Sequence, residues 1–410
     1  MQEIKKIDGG VTVAEGFFAS GAEAGIKYKN RKDMALVYSK VPAKVAGTFT
    51  TNVVKAAPVK WDMEIVEKYG VAQAVVLNSG IANACTGKDG EEINKGMAEA
   101  IGDVLSISPE LVLTASTGVI GYQIPLDKIK EGAKKLAPAL SDTLEAGTLA
   151  AEAIMTTDTC SKQWAVETVI GGKVVKIGGM SKGSGMIHPN MATMLSVVTT
   201  DCNISRELLN EAVKADVKDS FNMISVDRDT STNDTFVVLA NGMAGNEEIT
   251  ERNEDYKTFC KALSEVTQNL AKIMAKDGEG ATKLFETKVV GAKNKEDAIV
   301  LAKSVITSNL VKTAVYGCDA NWGRIICALG YSGVTFDPEK VELFIEGDGK
   351  KLKLFENGKA TDYSEEEATK ILSASEVTAF VDMHEGIGEA TAWGCDLTYD
   401  YVKINGDYRS

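Results

Sequence analysis

Between Gly178 and Asp201 the chain reads GGMSKGSGMIHPNMATMLSVVTTD, and this stretch constrains the fold more than any other. Four glycines and Pro189 mark its first half as a loop, because glycine tolerates positive φ and proline blocks regular hydrogen bonding. Its second half, Met194-Leu195-Ser196-Val197-Val198-Thr199-Thr200, has no breaker and is rich in β-branched and large apolar residues, the composition of a buried strand. At the junction stands Ala192-Thr193, a small residue followed by a hydroxyl at the first position of the strand.

A threonine hydroxyl at its ordinary pKa is a poor nucleophile and needs an adjacent base. The chain has only two histidines, His188 and His384, which leaves little material for a Ser-His-Asp arrangement, although one well-placed histidine would suffice. A threonine carries its own base if it becomes the first residue of a polypeptide, because a freed α-amino group titrates at about 7.7–8.0. Scission before Thr193 would supply that amine, and the same hydroxyl could make the cut by attacking the Ala192 carbonyl. Taken locally, the stretch fits a glycine-rich turn into a core strand equally well, since an Ala-Thr pair is not diagnostic.

The run from Lys182 to Leu195, KGSGMIHPNMATML, closely resembles the self-processing site of the arginine-pathway ornithine acetyltransferases. Further motifs resemble that family in its order: Thr50-Thr51-Asn52 with Lys55-Ala56-Ala57-Pro58-Val59, Ser116 to Gly121, Ile154 to Thr159, Asp229 to Thr235, Asn321 to Ile325, and the tail from Thr391 to Ser410. They span nearly the whole chain. The resemblance implies an α/β fold in a layered α-β-β-α arrangement, assembled from two pieces of one precursor. These are residues 1–192, ending at the cleavage site Ala192, and residues 193–410, beginning with the nucleophile. Two copies of each piece are implied. The implied reaction moves an acetyl group from N-acetylornithine to glutamate through an acetyl-threonine, with no metal and no organic cofactor; some family members also accept acetyl-CoA as donor.

Site roles carry over by the same resemblance. Thr193 is the nucleophile, and Thr117 with Gly118 form the oxyanion hole. Thr156, Lys182, Thr193, Glu279, Asn405 and Ser410 contact substrate. Each also has a bland reading: Thr117-Gly118 as a turn after a strand, Thr156 as a helix-terminal cap, Lys182 as a solvated loop charge, Glu279 as part of a Gly-Glu-Gly turn. Chemically, a lysine suits an α-carboxylate and a glutamate suits the ammonium of ornithine. The sequence departs from the family at Arg228, where glycine is common, at Ile81, where asparagine is common, and at Ser410, where threonine is usual. Two other classes compete: a self-processing aminopeptidase that hands the acyl group to water, and a non-catalytic binding protein.

With 45 basic and 58 acidic residues the formal charge is −13, so a polyanionic partner such as nucleic acid would be repelled. Residues Met1 to Asp8 lack an apolar signal core, and no window approaches the roughly 18 apolar residues that span a bilayer, which points to a soluble, cytoplasmic protein. Seven widely spaced cysteines without a Cys-x-x-Cys pair argue for reduced, mostly buried thiols. The carboxylate-dense run Asp227 to Asp234 resembles a hard-cation loop but lacks the EF-hand glycine and terminal glutamate.

Periodicity predicts strands over 72–77 and 111–114, helices over 91–106, 126–136 and 142–155, and a hairpin from Trp164 to Ile177 turning at Gly171-Gly172. Ser205 opens a helix reaching about Phe221, a longer helix runs from Asp255 to Ala275, and Ser364 with Glu367 forms a capping box. Asn78-Ser79-Gly80 reads as a turn, and Asn321-Trp322-Gly323-Arg324 as the packed start of a helix.

Overall fold

The computed structural model describes residues 2–188 and 194–408. Ala192, Thr193 and Ser410 therefore lie outside the described residues. The strand expected after residue 193 is present as Leu195–Thr200, and every one of its residues is buried. It lies between an antiparallel neighbour, Lys173–Lys182, and a parallel one, Thr235–Ala240. Interior strands with a parallel partner are covered on both faces and so need apolar residues at successive positions. Leu195 and Val197 pack with Val37, Leu77 and helix Leu144–Ala153 on one face. Val198 packs on the other with Val166, Ile177 and Phe236 under helices Arg206–Asp219 and Glu254–Lys276.

The sheet holding this strand runs in the order Lys5–Ile7, Lys162–Ile170, Lys173–Lys182, Leu195–Thr200, Thr235–Ala240, Met34–Phe49, Val71–Ile81, Val112–Val119, with Phe17–Ala22 also paired to the long strand Met34–Phe49. A second sheet runs Lys359–Ala360, Lys350–Glu356, Glu342–Gly347, Glu376–Asp382, Leu284–Ala292, Gly388–Cys395, Ile224–Ser225. Helix Glu254–Lys276 packs against strands of both sheets, and helix Lys295–Ile306 lies on the second. The chain is thus mixed α/β with two sheets and helices against them, the class that the resemblance implies. Among the described residues no single helix is long and apolar enough to cross a membrane.

Caps fall where short polar side chains precede an apolar period. Ser205 accepts from the Leu208 N–H, Asn253 from Tyr256, and Ser364 from Glu367. Two helices differ in extent: Gly87–Leu105 starts before the expected Glu91, and Leu144–Ala153 is shorter than 142–155 because Thr143 caps it. Asn321 caps helix Trp322–Gly330, and Trp322 stacks on Phe355 at 5.4 Å, a packing role at the second sheet.

Three glycine-containing runs read as loops are strands. The hairpin turns at Gly171 and Gly172, with φ of 56° and 73°, but its second arm continues to Lys182. A Cβ on Gly178 would stand 2.1 Å from the Gly10 carbonyl oxygen, so that glycine marks close backbone approach rather than a bend. Likewise Val71–Ile81 and Val112–Val119 pair in parallel through Gly80 opposite Gly118. Both have positive φ, and a Cβ on Gly118 would meet the Gly80 backbone at 2.3 Å. The thiols also differ from expectation: Cys202 and Cys395 are buried, but Cys85, Cys160 and Cys327 are exposed and two more are intermediate. The exposed ones sit on loops or an outer helix face, where nothing requires an apolar side chain.

Glycine substitutions separate these cases. Gly178→Ala should sharply reduce the yield of folded protein. Gly330→Ala, at a helical position with nothing within 4 Å of the new methyl, should raise stability by up to about 1 kcal/mol; thermal melting of both variants checks this.

Candidate active site

Six of the predicted site residues arrive from five elements at one cavity of about 150 Å³. Strand Val112–Val119 carries Thr117 and Gly118, and strand Lys173–Lys182 ends on Lys182. Thr156 follows helix Leu144–Ala153, Glu279 follows helix Glu254–Lys276, and Asn405 lies on the C-terminal helix Tyr399–Asp407. Met194 and Leu195, directly after residue 193, line the same cavity. The predicted Ala192, Thr193 and Ser410 are outside the described residues.

Lys182 is buried and its Nζ donates to Thr117 Oγ1 at 3.2 Å. Burial pushes its pKa down, and the carboxylates of Asp158, Glu279 and Asp234 oppose that shift. A desolvated cation on a cavity wall is a strong site for a carboxylate, since little water must be displaced to bind it. Across the cavity Glu279 is also buried. Its Oε2 accepts from Asn405 Nδ2 at 2.7 Å, and its backbone N–H donates to the Ser184 carbonyl at 2.9 Å. Gly185 makes room for it, because a Cβ there would stand 2.3 Å from the carboxylate. The C-terminal helix is seated rather than frayed: Thr398 Oγ1 donates to the Gly280 carbonyl at 2.7 Å, and Tyr401 approaches Asp227.

Behind the cavity lies a group that sequence reasoning missed. Lys162, with a side chain that is 0 % exposed, donates to Asp158 and to Asp277 at 2.6 Å each. Asp158 also accepts from the Thr156 N–H at 3.0 Å and the Gly183 N–H at 2.7 Å. One carboxylate thereby fixes the backbone at Thr156 and next to Lys182. Asp277, two residues before Glu279, receives the Thr159 N–H at 3.1 Å. Burial alone would raise the Asp158 pKa, but the charges of Lys182 and Lys162 and these hydrogen bonds hold it well below the usual carboxylate range. Lys162 shifts upward, its two carboxylates outweighing burial. Asp158 stands in a threonine-rich run that reads locally as a turn, and nothing in sequence couples it to residues 162 and 277.

The Asp227 to Asp234 run spreads its carboxylates rather than gathering them. Asp227 accepts from the Met186 and Ile187 N–H groups at 2.6 and 2.8 Å, whereas Asp234 lines the cavity. Asn233 Nδ2 donates to the Ala82 and Ser116 carbonyls and ties this loop to the strand bearing Thr117. Arg228 has φ of 72°, a conformation that suits the glycine the resemblance leads one to expect there. Ile81 is buried at the end of strand Val71–Ile81, and its carbonyl accepts from Asn78 Nδ2 at 2.9 Å, a bond that does not depend on the side chain at 81. His188 Nδ1 lies 3.0 Å from Ser225 Oγ at the second sheet, and burial brings its pKa down to about 4.

Converging hydroxyl, glycine, lysine and carboxylate groups on the wall of one cavity mark the active site of an enzyme with small-molecule substrates. The ArgJ family model matches residues 18–410, and the chain belongs to that family. It is 54% identical over 402 residues to "Arginine biosynthesis bifunctional protein ArgJ 1" of Clostridium acetobutylicum, covering 98% of this chain and 97% of the relative. It is 48% identical to the ArgJ protein of Bacillus subtilis, covering 100% and 98%. Among solved structures it is similar to the ArgJ protein of Bacillus halodurans, at 50% identity and a TM-score of 0.50, covering 52% of this chain and 98% of that one.

Lys162→Met would leave the buried Asp158 and the half-buried Asp277 without their shared ammonium and should cost about 3 kcal/mol near neutral pH, read as a lower thermal midpoint. The folded pKa of Asp158 is depressed, so its stabilisation is present above the ordinary carboxylate value of about 3.9 and is lost as pH falls through the lower folded value. The gap between wild type and variant should therefore narrow in acid.

Proposed function

We infer that this enzyme of arginine biosynthesis transfers the acetyl group of N-acetylornithine to glutamate, releasing ornithine and N-acetylglutamate. The observation that carries this reading is the convergence on one cavity, beside Met194, of Thr117, Gly118, Thr156, Lys182, Glu279 and Asn405. Relatives align with it over essentially their whole length.

In the proposed mechanism the chain is cut between Ala192 and Thr193, and the new amine of Thr193 takes the proton of its own hydroxyl. The oxygen attacks the acetyl carbon, and the Thr117 hydroxyl and Gly118 N–H stabilise the oxyanion, as fixed donors about 2.7–3.1 Å away do in acyl transfer. Collapse returns the proton to the departing amino nitrogen, and ornithine leaves. The glutamate amine then attacks the acetyl-threonine ester and restores the hydroxyl. Lys182 would bind the α-carboxylate common to both substrates. Glu279 would face the ornithine ammonium. Water must be excluded for transfer to outrun hydrolysis. The reaction needs no metal or organic cofactor; acetyl-CoA would enter only as an alternative donor.

Residues 1–192 and 193–410 would be pieces rather than separate bodies, because Lys173–Lys182 and Leu195–Thr200 are neighbours in one sheet. The Bacillus halodurans chain, of which 98% aligns to only 52% of this one, is about half as long, which supports a divided polypeptide. We place the enzyme in the cytoplasm, with two copies of each piece, and Ser410 at the substrate.

Three measurements test this. Intact mass should give two fragments for wild type and one uncut chain for Thr193→Ala; a single 410-residue chain in the active enzyme would overturn the mechanism. Release of ornithine should depend on glutamate, whereas an aminopeptidase would show no such dependence. Lys182→Met should raise KM for both amino-acid substrates at least tenfold, consistent with about 1.5–3 kcal/mol for a hydrogen bond to a charged group.

A further inference from the structure

We propose that the hydroxyl pair of Thr157 and Ser184 is a positioning element that sets the distance between Lys182 and Glu279, and with it the length of the diamino acid that the cavity accepts. This deepens the functional reading above and rests on it. Thr157 Oγ1 and Ser184 Oγ share a hydrogen bond at 2.7 Å. Thr157 is half-buried on the cavity wall, whereas Ser184 is 1% exposed and lies behind that wall.

Ser184 ties the two ends of the cavity together. It stands two residues after Lys182, and its carbonyl accepts the Glu279 N–H at 2.9 Å. The next residue, Gly185, is the one whose missing Cβ makes room for the Glu279 carboxylate. From the other side, Thr157 and Asp158 grip Ser184 and Gly183 as neighbouring pairs: the two hydroxyls meet at 2.7 Å, and Asp158 Oδ1 accepts the Gly183 N–H at 2.7 Å. Glycine on both sides of Ser184 leaves the backbone permissive, so these bonds decide its course. Removing either hydroxyl takes away the partner of the other and frees the segment that joins Lys182 to Glu279.

The side chains at the two ends are held as well. Lys182 Nζ donates to Thr117 Oγ1 at 3.2 Å, and Glu279 Oε2 accepts from Asn405 Nδ2 at 2.7 Å. A cation and a carboxylate fixed in this way pair with the α-carboxylate and the terminal ammonium of one molecule only if its chain spans the gap between them. A chain with one methylene too many leaves a buried charge imperfectly paired, which is costly. Glutamate bears no terminal ammonium, so its binding at Lys182 does not draw on that distance.

Thr157→Val keeps the shape of the side chain and removes its hydroxyl, and Ser184→Ala removes the partner from behind the wall. Each should raise KM for N-acetylornithine more than KM for glutamate. Each should also shrink the preference in kcat/KM for N-acetylornithine over its longer homologue Nα-acetyl-lysine by about tenfold, within the roughly 10–200-fold that one methylene commands. Thr157→Ser, which keeps a hydroxyl, should restore the preference. A preference unmoved in both variants overturns the proposal, and so does an equal rise in both KM values, which a general loosening of the fold would produce. An effect of Thr157→Val without one of Ser184→Ala also overturns it, because that pattern marks direct contact with substrate. Ser184→Ala carries the test if Thr157→Val fails to fold. A wild type that releases ornithine without glutamate overturns the functional reading itself. A glutamate-dependent wild type with an unmoved preference in the variants overturns only the role of the hydroxyl pair.

Discussion

The site depends on one buried cation. Lys162 neutralises Asp158 and Asp277, and through them the backbone at Thr156, Gly183 and Thr159 is held in one frame. Without it, the buried Asp158 would lose its closest counter-charge, and an unpaired buried charge is costly. Three segments distant in sequence are thus bound to one ammonium group, and each continues directly into a residue of the cavity wall. The group also shapes the field of the cavity. Asp158 sits between two lysines, and its charge partly offsets the desolvation that lowers the Lys182 pKa.

Charge placement around the cavity suits substrates that bear both signs. Lys182 and Glu279 are each buried on its wall, and Glu279 is steadied by Asn405 from the last helix. The C-terminal segment is therefore part of the site. Its docking relies on close approach at Gly280, where a Cβ would lie 2.6 Å from the Tyr401 nitrogen. Glycine at 185 has the same use on the other side of Glu279. Backbone proximity at both positions lets a carboxylate be held without a bulky cage.

Legibility in the sequence followed the locality of the cause. Strand Leu195–Thr200, the helix caps at Ser205 and Ser364 and the Gly171-Gly172 turn depend on neighbours within a few residues, and they were readable. Glycines at 80, 118, 178 and 179 read as loop formers, yet all four lie within strands. A missing side chain permits a bend or a close contact equally well, and only the partner decides between them. Motif resemblance named Thr117, Gly118, Thr156, Lys182, Glu279 and Asn405, and the structure brings them to one place. It gave no notice of Lys162 or Asp277, and it included Asn233 and Asp234 in a motif without assigning either a role; the importance of all four lies in what they face.

Sequence by itself determined the apolar strand that follows residue 193, the chemistry available to a hydroxyl with few histidines nearby, and the family in which these motifs belong. Those properties are set by residue identity and short-range order. Tertiary structure alone decided that a lysine, two aspartates and a chain-terminal helix meet around one cavity. Charges separated by more than a hundred residues interact only after the sheet has placed them within a few ångströms, and no local pattern encodes that distance.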